Sequence, residues 1–206
     1  MSINPYDELG AITSEVYQYD QEIRSHAIYK AVAIESDIEQ IIAWHFCHDE
    51  SKHILFISLM FNEGQITFSQ KLAILKKLLR DSYSDIYLKY SGIFSQLDKI
   101  RELRNKLAHT KIRIPYEYIY PMRATTDRPQ KGLYLEYYKD GKVINEFIPA
   151  EKVKEIMEKA RVLEYFLDYL HMEIKNRALG KYNSNFKLAV ESLNRLHPGI
   201  LPKPKK

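Results

Sequence analysis

The chain has 206 residues, 45% of them hydrophobic and 28% charged, with a formal net charge of +4. That length gives one ordinary domain enough chain for a real core, and that composition excludes an intrinsically disordered protein. Its one cysteine, Cys47, excludes an internal disulfide, and no apolar run approaches the length of a membrane span.

The first ten residues, MSINPYDELG, lack the basic start and apolar stretch of a secretory signal, so the expected location is the cytoplasm, with no membrane partner. From Asp20 to Phe46, Ile23, Ala27, Ile34, Ile38, Ile41 and Ile42 recur at helical spacing without an intervening Gly or Pro, which predicts a long helix. The following CHDESKHILFISLMFNEGQ holds an apolar run that reads equally as a short buried helix or a strand. Thr67-x-x-Gln70 is a capping-box pattern, and it opens a helix with Phe68, Leu72, Leu75 and Leu79 on one face. A third helix is expected from about Tyr87 to His109, with Ile93, Leu97, Ile100 and Leu107 towards the core.

The pattern changes over about 112–148, which is rich in Tyr, Ile, Pro and turn formers. GLYLEYYKDGKVINEFIP predicts a β-hairpin, because Asp140-Gly141 is a strong turn dipeptide between two β-prone runs. Helix returns after Pro149, with Val153, Ile156, Met157, Ala160, Leu163, Leu167, Leu170 and Ile174 on its apolar face and Gly180 as its stop signal. A last helix spans about Asn185 to Leu196, and a basic, Pro-rich tail from about 198 to 206 is expected to be loose. The architecture so predicted is an all-α, up-and-down helical bundle, one domain over 1–206, with a small inserted β-hairpin.

The excess of positive charge is local. Between Lys99 and Arg113 stand six basic residues and one acid, a net of +5. A polyanion partner is one reading of such a run, and a solvated helix face is the other. At about 100° per residue, Arg104 falls on the stripe made by Ile93, Leu97, Ile100 and Leu107, an unusual place for a charge. His109 lies about 140° around from Arg104, whereas Asn105 and His109 share a face. For Arg104 and His109 to converge, the helix must change direction at its end, or a second copy of the chain must supply one of the two. Histidine can pass protons near neutrality, arginine offers a planar fork to phosphate oxygens, and asparagine can hold a phosphate through its amide. Together they suit cleavage of an RNA phosphodiester by its own 2′-hydroxyl, a route that needs neither metal nor cofactor.

The run Arg104-Asn105-Lys106-Leu107-Ala108-His109, following the amphipathic LDKIREL, resembles the R-N-x-x-x-H motif of the HEPN superfamily. Specific likeness covers residues 97–110, and a looser one covers the helical frame. The resemblance implies a HEPN-like helical fold and a homodimer with a composite cleft. It further implies metal-independent endoribonuclease activity in a toxin or antiviral defence system, with an antitoxin or defence-complex protein as a further partner. Arg104, Asn105 and His109 would then be catalytic, and Arg101, Lys106, Lys111, Arg113 and Tyr116 would hold RNA. Some family members carry, two positions after the histidine, a tyrosine that an antitoxin modifies; here that position is Lys111. Other members are inactive and serve only as RNA-binding or protein-interaction modules, which is the alternative reading.

His45, Cys47, His48 and His53 lie close together, but their spacing matches no zinc finger, and packing at the end of a helix accounts for them better. Tyr116, Tyr118, Tyr120, Tyr134, Tyr137 and Tyr138, with Arg113, Arg123, Arg128 and Lys131, offer stacking rings and charge for single-stranded RNA, although tyrosine also simply favours strands. Glu35, ahead of Asp37 and Glu39, is the expected carboxylate partner for Arg104. His26, His171 and His197 are isolated and read as surface or packing residues.

Overall fold

A computed structural model describes residues 5–61, 66–113, 132–181 and 185–201. Among the described residues, seven helices and three strands follow in the order α1 (Pro5–Phe46), α2 (Glu50–Phe61), α3 (Phe68–Ser82), α4 (Ser84–Tyr90), α5 (Ile93–His109), β1 (Lys111–Ile112), β2 (Gly132–Lys139), β3 (Lys142–Pro149), α6 (Ala150–Ala178) and α7 (Asn185–Leu196). The fold is mainly helical with a small antiparallel sheet, as the sequence predicts.

The chain divides into two units, one of residues 1–29 and 103–157, the other of residues 30–102 and 158–206. The first holds the sheet, in the order β1-β2-β3. Register follows from the turn: Asp140 and Gly141 both take positive φ (52° and 75°), the geometry of a two-residue hairpin loop, which pairs Lys139 with Lys142 and Leu133 with Ile148. Alternation along β2 then sends Leu133, Leu135 and Tyr137 to one face. With Ile148, these residues pack with Ala27 of α1, Leu107 of α5 and Val153 of α6.

In the second unit, the predicted faces of α1, α3, α5 and α6 are buried: Ile34, Ile38, Ile41 and Ile42; Leu72, Leu75 and Leu79; Ile93 and Leu97; Leu163, Leu167, Leu170 and Ile174. Tyr90, Phe166 and Phe186 form an edge-on ring cluster with centroids 5.4–5.9 Å apart, tying α4, α6 and α7 together. The capping box is made: Thr67 N–H donates to Gln70 Oε1 at 2.8 Å, and Gln70 N–H donates to Thr67 Oγ1 at 3.3 Å. At its far end α6 closes with a Schellman pair, Lys181 N–H to the Asn176 carbonyl and Gly180 N–H to that of Arg177.

Several elements differ from expectation. α1 begins at Pro5, well before the apolar stripe starts. The third expected helix is two, because the chain turns at Ser91–Gly92, where glycine weakens helical continuation. The ambiguous apolar run is helix α2, yet only His53 and Phe61 are buried in it, and Ile54, Leu55, Leu59 and Met60 stand exposed. The tail is anchored as far as Leu201, which is buried, and Gln96 Nε2 donates to the Ile200 carbonyl at 2.6 Å. No helix among the described residues is long and apolar enough to cross a membrane.

Candidate active site

The Arg-Asn-His set lies in the last two turns of α5, and the helix stays regular to its end: Thr110 N–H still donates to the Lys106 carbonyl at 3.0 Å. Leu107, buried in the core shared with the sheet, fixes the rotation of this segment. Arg104 is therefore half-buried, as its place on the apolar stripe predicts, while His109 is exposed. Because the helix does not bend, the two side chains of one copy leave it about 140° apart, which disfavours their meeting at one small target.

Arg104 Nη1 donates to Asn105 Oδ1 at 3.1 Å. Among the described residues it has no carboxylate partner. The expected one, Glu35, is engaged elsewhere: Lys71, buried in the other unit, donates to Glu35 at 2.6 Å and to Glu39 at 2.5 Å. A buried ammonium needs such neutralisation more than a half-buried guanidinium does. Arg104 thus remains a cation with free N–H donors, and its bond to Asn105 leaves the Asn105 amide nitrogen free to donate as well.

The cations expected to hold RNA are mostly paired. Lys106 Nζ lies 2.7 Å from Glu146 Oε2, which also accepts from Tyr137 Oη at 2.9 Å, and the ammonium stands 5.3 Å from the Tyr137 ring centroid. Burial pushes the Glu146 carboxyl up, but the hydrogen bonds from Lys106 and Tyr137 outweigh it and hold the group below its ordinary range. Lys106 therefore fastens α5 to the hairpin. Arg113 pairs with Glu136 at the surface, and Arg101, in the other unit, with Asp98 at 3.2 Å. Exposed pairs of this kind are weak enough for a phosphate to displace. Lys111 is exposed on β1, opposite Glu136 in the ladder. Tyr116, Tyr118, Tyr120, Arg123, Arg128 and Lys131 lie outside the described residues. Of the hairpin tyrosines, Tyr134 packs on Phe147 with centroids 4.7 Å apart, and Tyr138 is exposed.

One functional contact escapes sequence reading. Arg24, on α1, donates from Nη1 to the Leu107 and Thr110 carbonyls and to Thr110 Oγ1, the last two at 3.1 Å. Its Nε donates to the buried Asp20 at 3.0 Å. A helix leaves its last carbonyls without partners, and its C-terminal end favours a positive charge. Arg24 meets both needs on either side of His109. The nearest local signal is the Asp20-x-x-x-Arg24 spacing, but nothing in it points to a segment some eighty residues on.

No group of three or more His, Cys, Asp or Glu among the described residues is placed to hold a metal. His45 instead meets Tyr83 Oη at 3.2 Å, and the His53 ring packs on Trp44 with centroids 4.5 Å apart. Compared with known proteins, the chain matches no family model, no curated protein and no solved structure.

Proposed function

We propose that the chain is a metal-independent endoribonuclease of the HEPN type, cleaving single-stranded RNA as a cytoplasmic homodimer in a toxin or defence system. The observation that carries this reading is Arg104: a half-buried arginine on an apolar stripe, with its hydrogen bond to Asn105 and no carboxylate partner among the described residues. An unneutralised guanidinium beside an amide is a phosphate grip. The diverging His109 is the argument for two copies, since a second α5 related by a two-fold can bring its His109 to the first copy's Arg104. One His109 then takes the proton of the RNA 2′-hydroxyl as that oxygen attacks phosphorus. The other returns a proton to the departing 5′-oxygen, leaving a 2′,3′-cyclic phosphate, while Arg104 and Asn105 stabilise the charge building on the phosphoryl oxygens.

The test is cleavage of single-stranded RNA by purified protein in EDTA. Activity should persist there, and should fall about 10²- to 10⁴-fold in His109→Ala. Absence of cleavage, or equal cleavage by His109→Ala, would sink the catalytic reading. So would a strictly monomeric protein at concentrations where it cleaves. One observation favours the non-catalytic alternative: a single copy holds the Arg104–Asn105 grip without a converging histidine. An RNA-binding module of that kind would bind without cutting, keep its affinity in His109→Ala, and lose it in Arg104→Ala, with a steep salt dependence.

A further inference from the structure

The second unit contains a cavity of about 490 Å³ between α1, α2 and α6, lined by residues of 40–58 and 171–175. Its wall is Trp44, buried to 4% exposure, with the His53 ring against it and the Lys175 ammonium 4.5 Å from its ring centroid. His53, on α2, is 5% exposed, and its Nε2 is buried without a protein partner. His171, on α6, also lines the cavity and has the same unpartnered Nε2. Lys175 has no carboxylate at ion-pair distance among the described residues. Buried polar atoms are ordinarily satisfied, and here two imidazole nitrogens stand without a partner beside a cation that has no ion pair among the described residues, with Glu50 the one carboxylate in the lining.

We propose that this cavity binds a nucleoside monophosphate, with Lys175, His53 and His171 holding the phosphate and Trp44, Ile54 and Ile57 packing against the nucleoside. With both imidazoles protonated, three nitrogen donors from two helices match the three terminal oxygens of a phosphate monoester better than the two of a carboxylate. The volume far exceeds a bare phosphate and lies in the range of small-molecule sites. Away from the three nitrogens the lining is Trp44, Ile54 and Ile57 together with Gln40, Glu50 and Ser58, whose polar groups can hydrogen-bond the hydroxyls of a sugar or the edge of a base.

Titration of the two imidazoles follows from what faces them. His53 is held below its ordinary value by burial; the Gln40 carbonyl of α1 opposes this, Lys175 of α6 adds to it, and Glu50 of α2 opposes it. His171 is held low by burial, then by Lys175 and His53. Burial therefore favours the neutral form of both imidazoles in the empty cavity. A phosphate dianion offsets Lys175 and favours the imidazolium forms, so binding takes up protons.

Calorimetric titration of the full chain with AMP, adenosine and inorganic phosphate at pH 7, in buffers of different ionisation enthalpy, tests this. AMP should bind about tenfold or more tightly than either fragment, with net proton uptake. Lys175→Met, which keeps the stem over Trp44, and His171→Gln, at a half-buried position, should each weaken AMP about tenfold or more, with the thermal transition retained. Arg104→Ala should bind AMP as the wild type does. The proposal is overturned if AMP does not bind, if inorganic phosphate or adenosine binds as tightly, or if no proton is taken up. It is equally overturned if Lys175→Met binds unchanged, or if AMP binding is lost with Arg104, which would put the nucleotide at the motif. None of these results depends on RNA cleavage.

Discussion

Arg24 and Arg104 are both half-buried arginines in the first unit, and their surroundings assign them opposite roles. Arg24 neutralises an Asp20 that is 1% exposed and satisfies the open carbonyls at the end of α5. Its removal leaves a buried carboxylate unpaired and the helix end uncapped, so Arg24→Met should destabilise the fold by about 3 kcal/mol. Arg24→Lys restores the charge without the fork and should recover less than half of that loss. Arg104 has no carboxylate to orphan, so Arg104→Met should change stability by no more than about 0.5 kcal/mol. Its cost should appear instead in RNA cleavage and binding. Urea denaturation of the three variants separates these roles; equal destabilisation by Arg24→Met and Arg104→Met would refute the contrast.

At the scale of elements, the hairpin that abuts α5 depends on two glycines for different reasons. A Cβ on Gly132 would lie 2.4 Å from the Ile148 carbonyl oxygen and 2.5 Å from Phe147 Cε2, and the carbonyl belongs to the paired strand and cannot move aside. Gly132→Ala should therefore cost about 2–3 kcal/mol, the upper part of the range for overpacking. Gly141 has open space around it, and only its positive φ is strained by a side chain, so Gly141→Ala should cost about 1 kcal/mol. Thermal unfolding that ranked the two in reverse would contradict the close approach. The turn at Gly141 could be read from the sequence because a two-residue loop is a local signal, as are the Thr67 capping box and the apolar faces of α3 and α6. Gly132 could not, since its restraint comes from a strand sixteen residues on. The same division holds in the candidate site. The spacing of Arg104, Asn105 and His109 is a property of one helix and was visible. The brace from Arg24, the capture of Lys106 by Glu146 and the pairing of Glu35 with Lys71 join distant segments, and no periodicity records them. Helix α2 shows the converse limit: its apolar run predicts burial, and the fold leaves most of it exposed.

For the whole molecule, the net charge of +4 hides a concentration of negative charge in the second unit, where Asp37, Glu164 and Asp168 surround Lys30. Lys30 pairs with Glu164. Burial, then Asp168 and Glu164, push the Asp37 carboxyl up to about 7 against the pull of Lys30. In the unfolded chain the same group ionises near its ordinary value of about 4. Between about pH 4 and pH 7 the folded state therefore holds a proton that the unfolded state has released, and this group's contribution to stability falls as pH rises through that window. Above about pH 7 both states are ionised and the loss is constant. Carboxylates held low, such as Glu146 under Lys106 and Tyr137 and Asp85 under Arg177, act in the opposite sense: their contribution is lost as pH falls below the ordinary carboxylate range. Asp37→Asn keeps the shape and removes the charge. At pH 8 the variant should be more stable than wild type by about 2 kcal/mol, allowing for partial exposure of the site, and near pH 4 the two should be equal. Melting curves of both proteins at pH 4, 6 and 8 would show the gap opening with pH. A gap that is absent at pH 8, or the same at all three values, would remove Asp37 from the pH response of the fold.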